Sequence, residues 1–257
     1  MRDPHVVALR YRIEVDSTVT FDGPPPVEDE TSAFRLRLEN GVAHFQLKEH
    51  FPSVEAARSV VDKYIRAWEI DMALNHGSRE ISFILEGAEV IDRNPPPPGS
   101  PQVIKATAIA HGVGVAHAAI HVTRHQYPTP PRLFRVSPDV ETLWQRYEVY
   151  RKGQEPLLTM AYFCLTLIKA NADGNQDKAA KSLGISPRVL KNLGDLTANR
   201  GDDKTARKVV PGQALTPLSP QEAAWVEAAI KVIIRRVGET LSGQSLPLVT
   251  MSDLPNL

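Results

Sequence analysis

The chain has 257 residues, 42% of them apolar, with 30 basic and 30 acidic side chains, and this composition excludes wholesale disorder and fibrous repeats. Zero net charge removes any global pull toward nucleic acid or anionic membrane, so a site for either must be a local patch. The one cysteine, Cys164, excludes an intramolecular disulfide and a cysteine-based zinc cluster. The first residues lack a basic stretch followed by an apolar core. The longest apolar run, Met160 to Ile168, is broken by Thr166 and is too short to span a bilayer. The expectation is a soluble cytoplasmic protein.

Taken in order, Leu9, Tyr11, Ile13 and Val15 alternate with Arg10, Arg12 and Glu14, the period-two pattern of a strand with one wet face. Phe34, Leu36 and Leu38 alternate with Arg35, Arg37 and Glu39, and Asn40-Gly41 leads into Ala43, Phe45 and Leu47. Asn-Gly between alternating runs predicts a hairpin, because both residues tolerate positive φ. Ser53 caps a predicted helix over 53–75, with Val54, Ala57, Val61, Tyr64, Ile65, Trp68 and Met72 as its apolar stripe. Ile81, Phe83 and Leu85 predict another strand, followed by Val90 and Ile91. Residues 103–125 are rich in Val, Ile, Ala and Thr, with Gly112 and Gly114 where a bulge would fall.

Proline clusters punctuate the chain at Pro24 to Pro26, Pro95 to Pro98, and Pro128, Pro130 and Pro131. Each forces an extended connection. The last precedes a change of character, which places a domain boundary at about 126–137. Ser137-Pro138 opens a helix to about Gly153, and Pro156 opens an apolar one to Ala170 that reads as the buried centre, Phe163 included. Shorter helices follow over 176–183 and 187–198. Ser219-Pro220-Gln221-Glu222 is a capping box that starts a last helix, with Trp225, Val226, Ala229, Ile230, Ile233, Ile234, Val237 and Leu241 inward. The tail 243–257 reads as loosely docked. The predicted fold class is α+β: an N-terminal antiparallel β domain, 1–130, carrying one packed helix, then an all-helical bundle, 137–242.

Two constellations invite a chemical reading. His111, His117, His121 and His125 are half of the eight histidines and share one strand parity. Imidazoles four apart on a strand lie about 13 Å from each other, so one strand cannot gather them around a metal. No metal site and no cofactor is expected; neither a GxxxxGK nor a GxGxxG loop occurs.

The second constellation is 176–210. It holds Lys178, Lys181, Arg188, Lys191, Arg200, Lys204, Arg207 and Lys208 against Asp177, Asp195, Asp202 and Asp203, four positive charges in excess within a neutral chain. Residues 177–198 carry the helix-turn-helix spacing. Ala180 is small where two helices approach, Gly184 turns, Ser186 caps, and Leu183, Ile185, Val189, Leu190 and Leu193 form the wedge. A second helix in a major groove would show Arg188, Lys191, Asn192 and Asp195 to base edges.

The layout of 137–242, with its apolar helix 156–170, the segment LKNLGDLTANRGD and the capped final helix, resembles the HEPN superfamily of bacterial defence and toxin proteins. The whole layout, with TANRGDDKTARK, also resembles a group of bacterial proteins that join a β domain to a helical one. The resemblance to HEPN proteins implies a helical bundle and, in active members, RNA cleavage by an arginine and a histidine. Arg200 is the one match for the arginine, and no histidine follows His125, so the general base is missing. The expectation that follows is a non-catalytic interaction or RNA-associated protein, meeting RNA or a protein partner through the 199–210 loop with Arg200, Lys204, Arg207 and Lys208. The alternatives are a DNA-binding regulator using 177–198, and a ribonuclease with a non-histidine pair such as Arg200 and Asp202.

Overall fold

The computed structural model describes residues 3–76, 80–94, 122–201 and 216–257. The fold is α+β, and the chain divides into two compact units, Met1–Pro131 and Arg132–Leu257. Among the described residues no helix is long and apolar enough to cross a membrane.

The first unit is a five-stranded antiparallel sheet built from β1 (Pro4–Val15), β3 (Val27–Glu30), β4 (Phe34–Glu39), β5 (Val42–Leu47) and β6 (Ile81–Asp92), in the order β3-β4-β5-β1-β6. The hairpin between β4 and β5 turns on Asn40 and Gly41, at φ of 51° and 76°, the left-handed pair that a two-residue hairpin turn of this twist requires. Alternation then sends Leu9, Phe34, Leu36, Leu38 and Phe45 to one face, where α1 (Val54–His76) covers them with Ala57, Val61, Ile65, Trp68 and Met72. The other face is a charged ladder in which Arg37 pairs with Glu28 at 2.6 Å and Lys48 with Glu30 at 2.7 Å.

Three features depart from the sequence reading of this unit. The acidic strand β3 is an addition. The runs at 81–85 and 90–91 belong to one continuous strand, because β6 follows β1 along its whole length through two register shifts. A three-residue parallel pair, β2 (Val19–Phe21) with β7 (Val122–Arg124), lies outside the antiparallel sheet. Beside β7, the buried carboxylate of Glu80 is held by Arg124 at 2.6 Å and by His76 at 3.0 Å.

The second unit comprises α2 (Pro138–Arg151), α3 (Leu157–Ala170), α4 (Gln176–Ser182), α5 (Pro187–Asn199) and α6 (Pro220–Thr240). Ser137 accepts from the Val140 N–H, and the Ser219–Glu222 capping box is complete. Trp225, Val226, Ala229, Ile230, Ile233 and Ile234 are fully buried, with Leu165 and Ile168 of α3 close to it. Phe163 is only half-buried. It lies under the Arg146 guanidinium, 4.8 Å from the ring centre, so the cation and not the core takes its ring. Leu241 is 50% exposed, because α6 stops at Thr240 and the chain turns away.

The C-terminal segment is docked, not loose. Val249 and Leu254 are buried, and Val249 exchanges backbone hydrogen bonds with Gly184 and Ser186. Segments without regular structure hold in this way when their polar backbone groups find partners.

Candidate nucleic-acid interface

The site begins with a scaffold. α3 turns Leu158, Ala161, Cys164, Leu165 and Ile168 inward. Burial pushes the Cys164 thiol up to about 12, with the nearby Glu155 carboxylate adding to the effect, so it is a packing residue and no nucleophile. At the end of α3 the chain reverses through Asp173 and Gly174, both at positive φ. Asn175 then caps α4 by accepting from the Lys178 N–H at 3.0 Å.

α4 buries only Ala179 and Ala180, and these small side chains let α5 approach. The turn Leu183–Ser186 is closed by the Ile185 N–H donating to the Ala180 carbonyl at 2.9 Å. Its left-handed residue is Gly184, at φ 61°, a conformation that glycine adopts without steric cost.

α5 is sharply two-faced. Val189, Leu190, Leu193, Leu196 and Thr197 are buried. Arg188, Lys191, Asp195, Ala198 and Asn199 are exposed, at the three-and-four spacing that keeps residues on one side of a helix. Lys181 and Lys178 are exposed on α4. Lys178 pairs with Asp173 at 3.2 Å. Lys181, Arg188, Lys191 and Asp195 have no ion pair among the described residues. Asn192, the third side chain expected to read bases, is half-buried and donates to the Met251 sulfur at 3.5 Å. The docked C-terminal segment takes it, so Asn192 is not open to a base as its place on the helix suggests.

The 199–210 patch divides differently. Arg200 does not project from a loop. Its Nε and Nη2 donate to Glu222 Oε1 at 3.0 and 2.6 Å, while Glu222 Oε2 accepts from the Ser219 N–H at 2.8 Å. Arg200 therefore ties the end of α5 to the first turn of α6. Lys204, Arg207, Lys208 and Asp202 lie outside the described residues, as do His111, His117 and His121. His125 is exposed beside Asp22. No group of three metal-ligating side chains occurs among the described residues.

The Glu222 carboxyl sits below the usual glutamate range. The Ser219 N–H is the main cause, burial opposes it, and Arg200 adds to it. A depressed folded pKa gives stability that is complete above the ordinary value of 4.5 and is lost as pH falls through the folded one. Glu222→Gln is thus expected to melt below the wild type at neutral pH, with the gap closing as pH falls below that value. Melting curves across this range check it; a constant gap contradicts it.

Comparison with protein-family models, with curated proteins and with solved structures gives no match.

Proposed function

We propose that the second unit is a nucleic-acid-binding module that uses α4 and α5 as a helix-turn-helix, with duplex DNA as its partner. The observation that carries this reading is the exposed face of α5, where Arg188, Lys191 and Asp195 stand in a row with no ion pair among the described residues while the opposite face is buried. A 13-residue helix is about 20 Å long, enough to lie in a B-form major groove. Arg188 near its start reaches guanine O6 and N7, and Asp195 accepts from a cytosine amino group. Lys181 on α4 meets the flanking phosphates.

Duplex DNA is favoured over RNA on two grounds. The exposed face of α4 and α5 carries no aromatic ring on which an unpaired base would stack. The major groove of A-form RNA is also too narrow for a helix. The 199–210 loop is the weaker candidate, because Arg200 is spent on Glu222.

The test is binding of a labelled duplex and of the matching single strand, at low and moderate salt. Wild type is expected to prefer the duplex. Arg188→Ala/Lys191→Ala is expected to lose about a hundredfold in affinity, from two contacts of roughly 1–3 kcal/mol each. Lys181→Ala is expected to lower the log–log salt slope by about 0.9, the value for one phosphate. Wild-type binding that the double substitution leaves unchanged would remove α5 from the interface.

A further inference from the structure

The turn of the helix-turn-helix is not free. Its backbone is held by the segment that follows α6. The Val249 N–H donates to the Gly184 carbonyl at 2.8 Å, and the Ser186 N–H donates to the Val249 carbonyl at 2.7 Å. These bonds flank Ile185, which forms a parallel bridge with Val249. Two residues on, Met251 takes the Asn192 amide. The segment is in turn fixed to α6 by Arg236, only 7% exposed. The Arg236 Nη2 donates to the Pro247 carbonyl at 2.6 Å, and Nη1 meets Glu239 at 3.2 Å. An arginine buried this deeply needs its partners, because a desolvated charge without them is costly.

We infer that Arg236 and the segment Pro247–Met251 are positioning elements of the nucleic-acid interface: they form a latch that fixes the start of α5 against α6. This inference rests on the reading of α5 as the base-contacting helix. Its physical content is geometric. Base contacts near the start of a helix in a groove depend on where that start sits, to within fractions of an ångström. Phosphate contacts by flexible lysines tolerate displacement. The latch grips the turn at Gly184 and Ser186 and the first turns of α5 at Asn192. Among the described residues Arg236 has its hydrogen bond and ion pair with Pro247 and Glu239 and none with α5. Its influence on base recognition therefore passes through the backbone of the turn.

The experiment uses the full chain with Arg236→Met, which keeps much of the side-chain length and removes the donors, and Arg236→Lys, which restores one donor. Affinity is measured for the duplex that wild type prefers in a random pool and for random duplex. Hydrogen exchange is followed at the Ser186 and Val249 amides. Arg236→Met is expected to lose about tenfold for the preferred duplex, within the range of coupling carried by a positioning element. Random-duplex affinity should stay within about twofold and the salt slope should not change. Arg236→Lys should recover part of the loss. The two amides should exchange faster in Arg236→Met, while amides in α3 should not.

Should Arg236→Met fail to fold, Met251→Ala frees Asn192 with the arginine in place, and the same selective loss is expected at about threefold. A variant that keeps the wild-type preference, or that loses preferred and random duplex equally, overturns the latch. Failure of the underlying reading is seen in a different sample: wild type that prefers no duplex over another removes both.

Discussion

Replacing Trp68 with alanine is expected to lower the stability of the first unit by about 3–5 kcal/mol, the cost of deleting a large core aromatic. Trp68 is fully buried at the centre of α1, with its ring 5.0 Å from Phe83 of β6 and 6.2 Å from Tyr64. Tyr64 in turn packs edge-on against Phe34 and Phe45. Trp68 thus meets β6 directly and reaches β4 and β5 through Tyr64 of the same helix. A domain holds only about 5–15 kcal/mol in total, so the variant should stand near the edge of folding at room temperature. Denaturant unfolding followed by circular dichroism measures the loss. A loss under about 1 kcal/mol would mean that the helix is not what closes the sheet.

Gly238→Ala is expected to destabilise the second unit by about 1–3 kcal/mol, although the same change at an open helix position gains roughly 1 kcal/mol from propensity. The sign is reversed by packing. A carbon added at Gly238 overlaps the ring of Phe134 and comes within 2.9 Å of the Arg135 carbonyl. Neither neighbour is free to yield. Phe134 is 1% exposed, and the Arg135 N–H donates to the Gly238 carbonyl at 3.0 Å. Thermal unfolding of Gly238→Ala, Phe134→Leu and the double variant checks this. The double variant should be more stable than the sum of the single losses predicts, because the smaller side chain vacates the space that the methyl needs. Simple additivity would place the cause elsewhere.

Much of the fold is legible because local chemistry and tertiary packing agree. Arg35 and Arg37 between Phe34, Leu36 and Leu38 specify a strand and its wet face together. Asn40-Gly41 specifies the turn, and Ser219 with Glu222 specifies a helix start. β3 was not legible, because Val27–Glu30 carries three acidic residues and lacks the β-branched run that marks a strand. It forms by cross-strand pairing with Arg35 and Arg37, a long-range cause that strand propensity does not encode. Phe163 misled for a related reason: an apolar residue on an apolar helix reads as core, and a cation that covers its ring leaves no mark in the local pattern.

The candidate site divides along the same line. Ala180, Gly184 and Ser186-Pro187 announce a helix, a tight turn and a second helix, although the Ser186 side chain makes no capping hydrogen bond, and the spacing of Arg188, Lys191 and Asp195 puts them on one face. The part played by residues 247–251 was hidden, because it runs through backbone carbonyls and amides that every residue possesses. Arg236 beside Arg235 reads as an ordinary surface charge until its burial is known. Arg200 reads as a free cation for the same reason, since Glu222 lies 22 positions away.

The most direct measurement of the central claim is selection of duplex DNA from a random pool by wild type and by Arg188→Ala. If α5 reads bases, wild type enriches a short motif containing a guanine step. Arg188→Ala should lose the preference at one position of that motif, by the roughly 1–3 kcal/mol of a bidentate contact, and keep it elsewhere. A pool that wild type leaves unenriched, or a motif that Arg188→Ala reproduces unchanged, contradicts the assignment of α5 as the recognition helix.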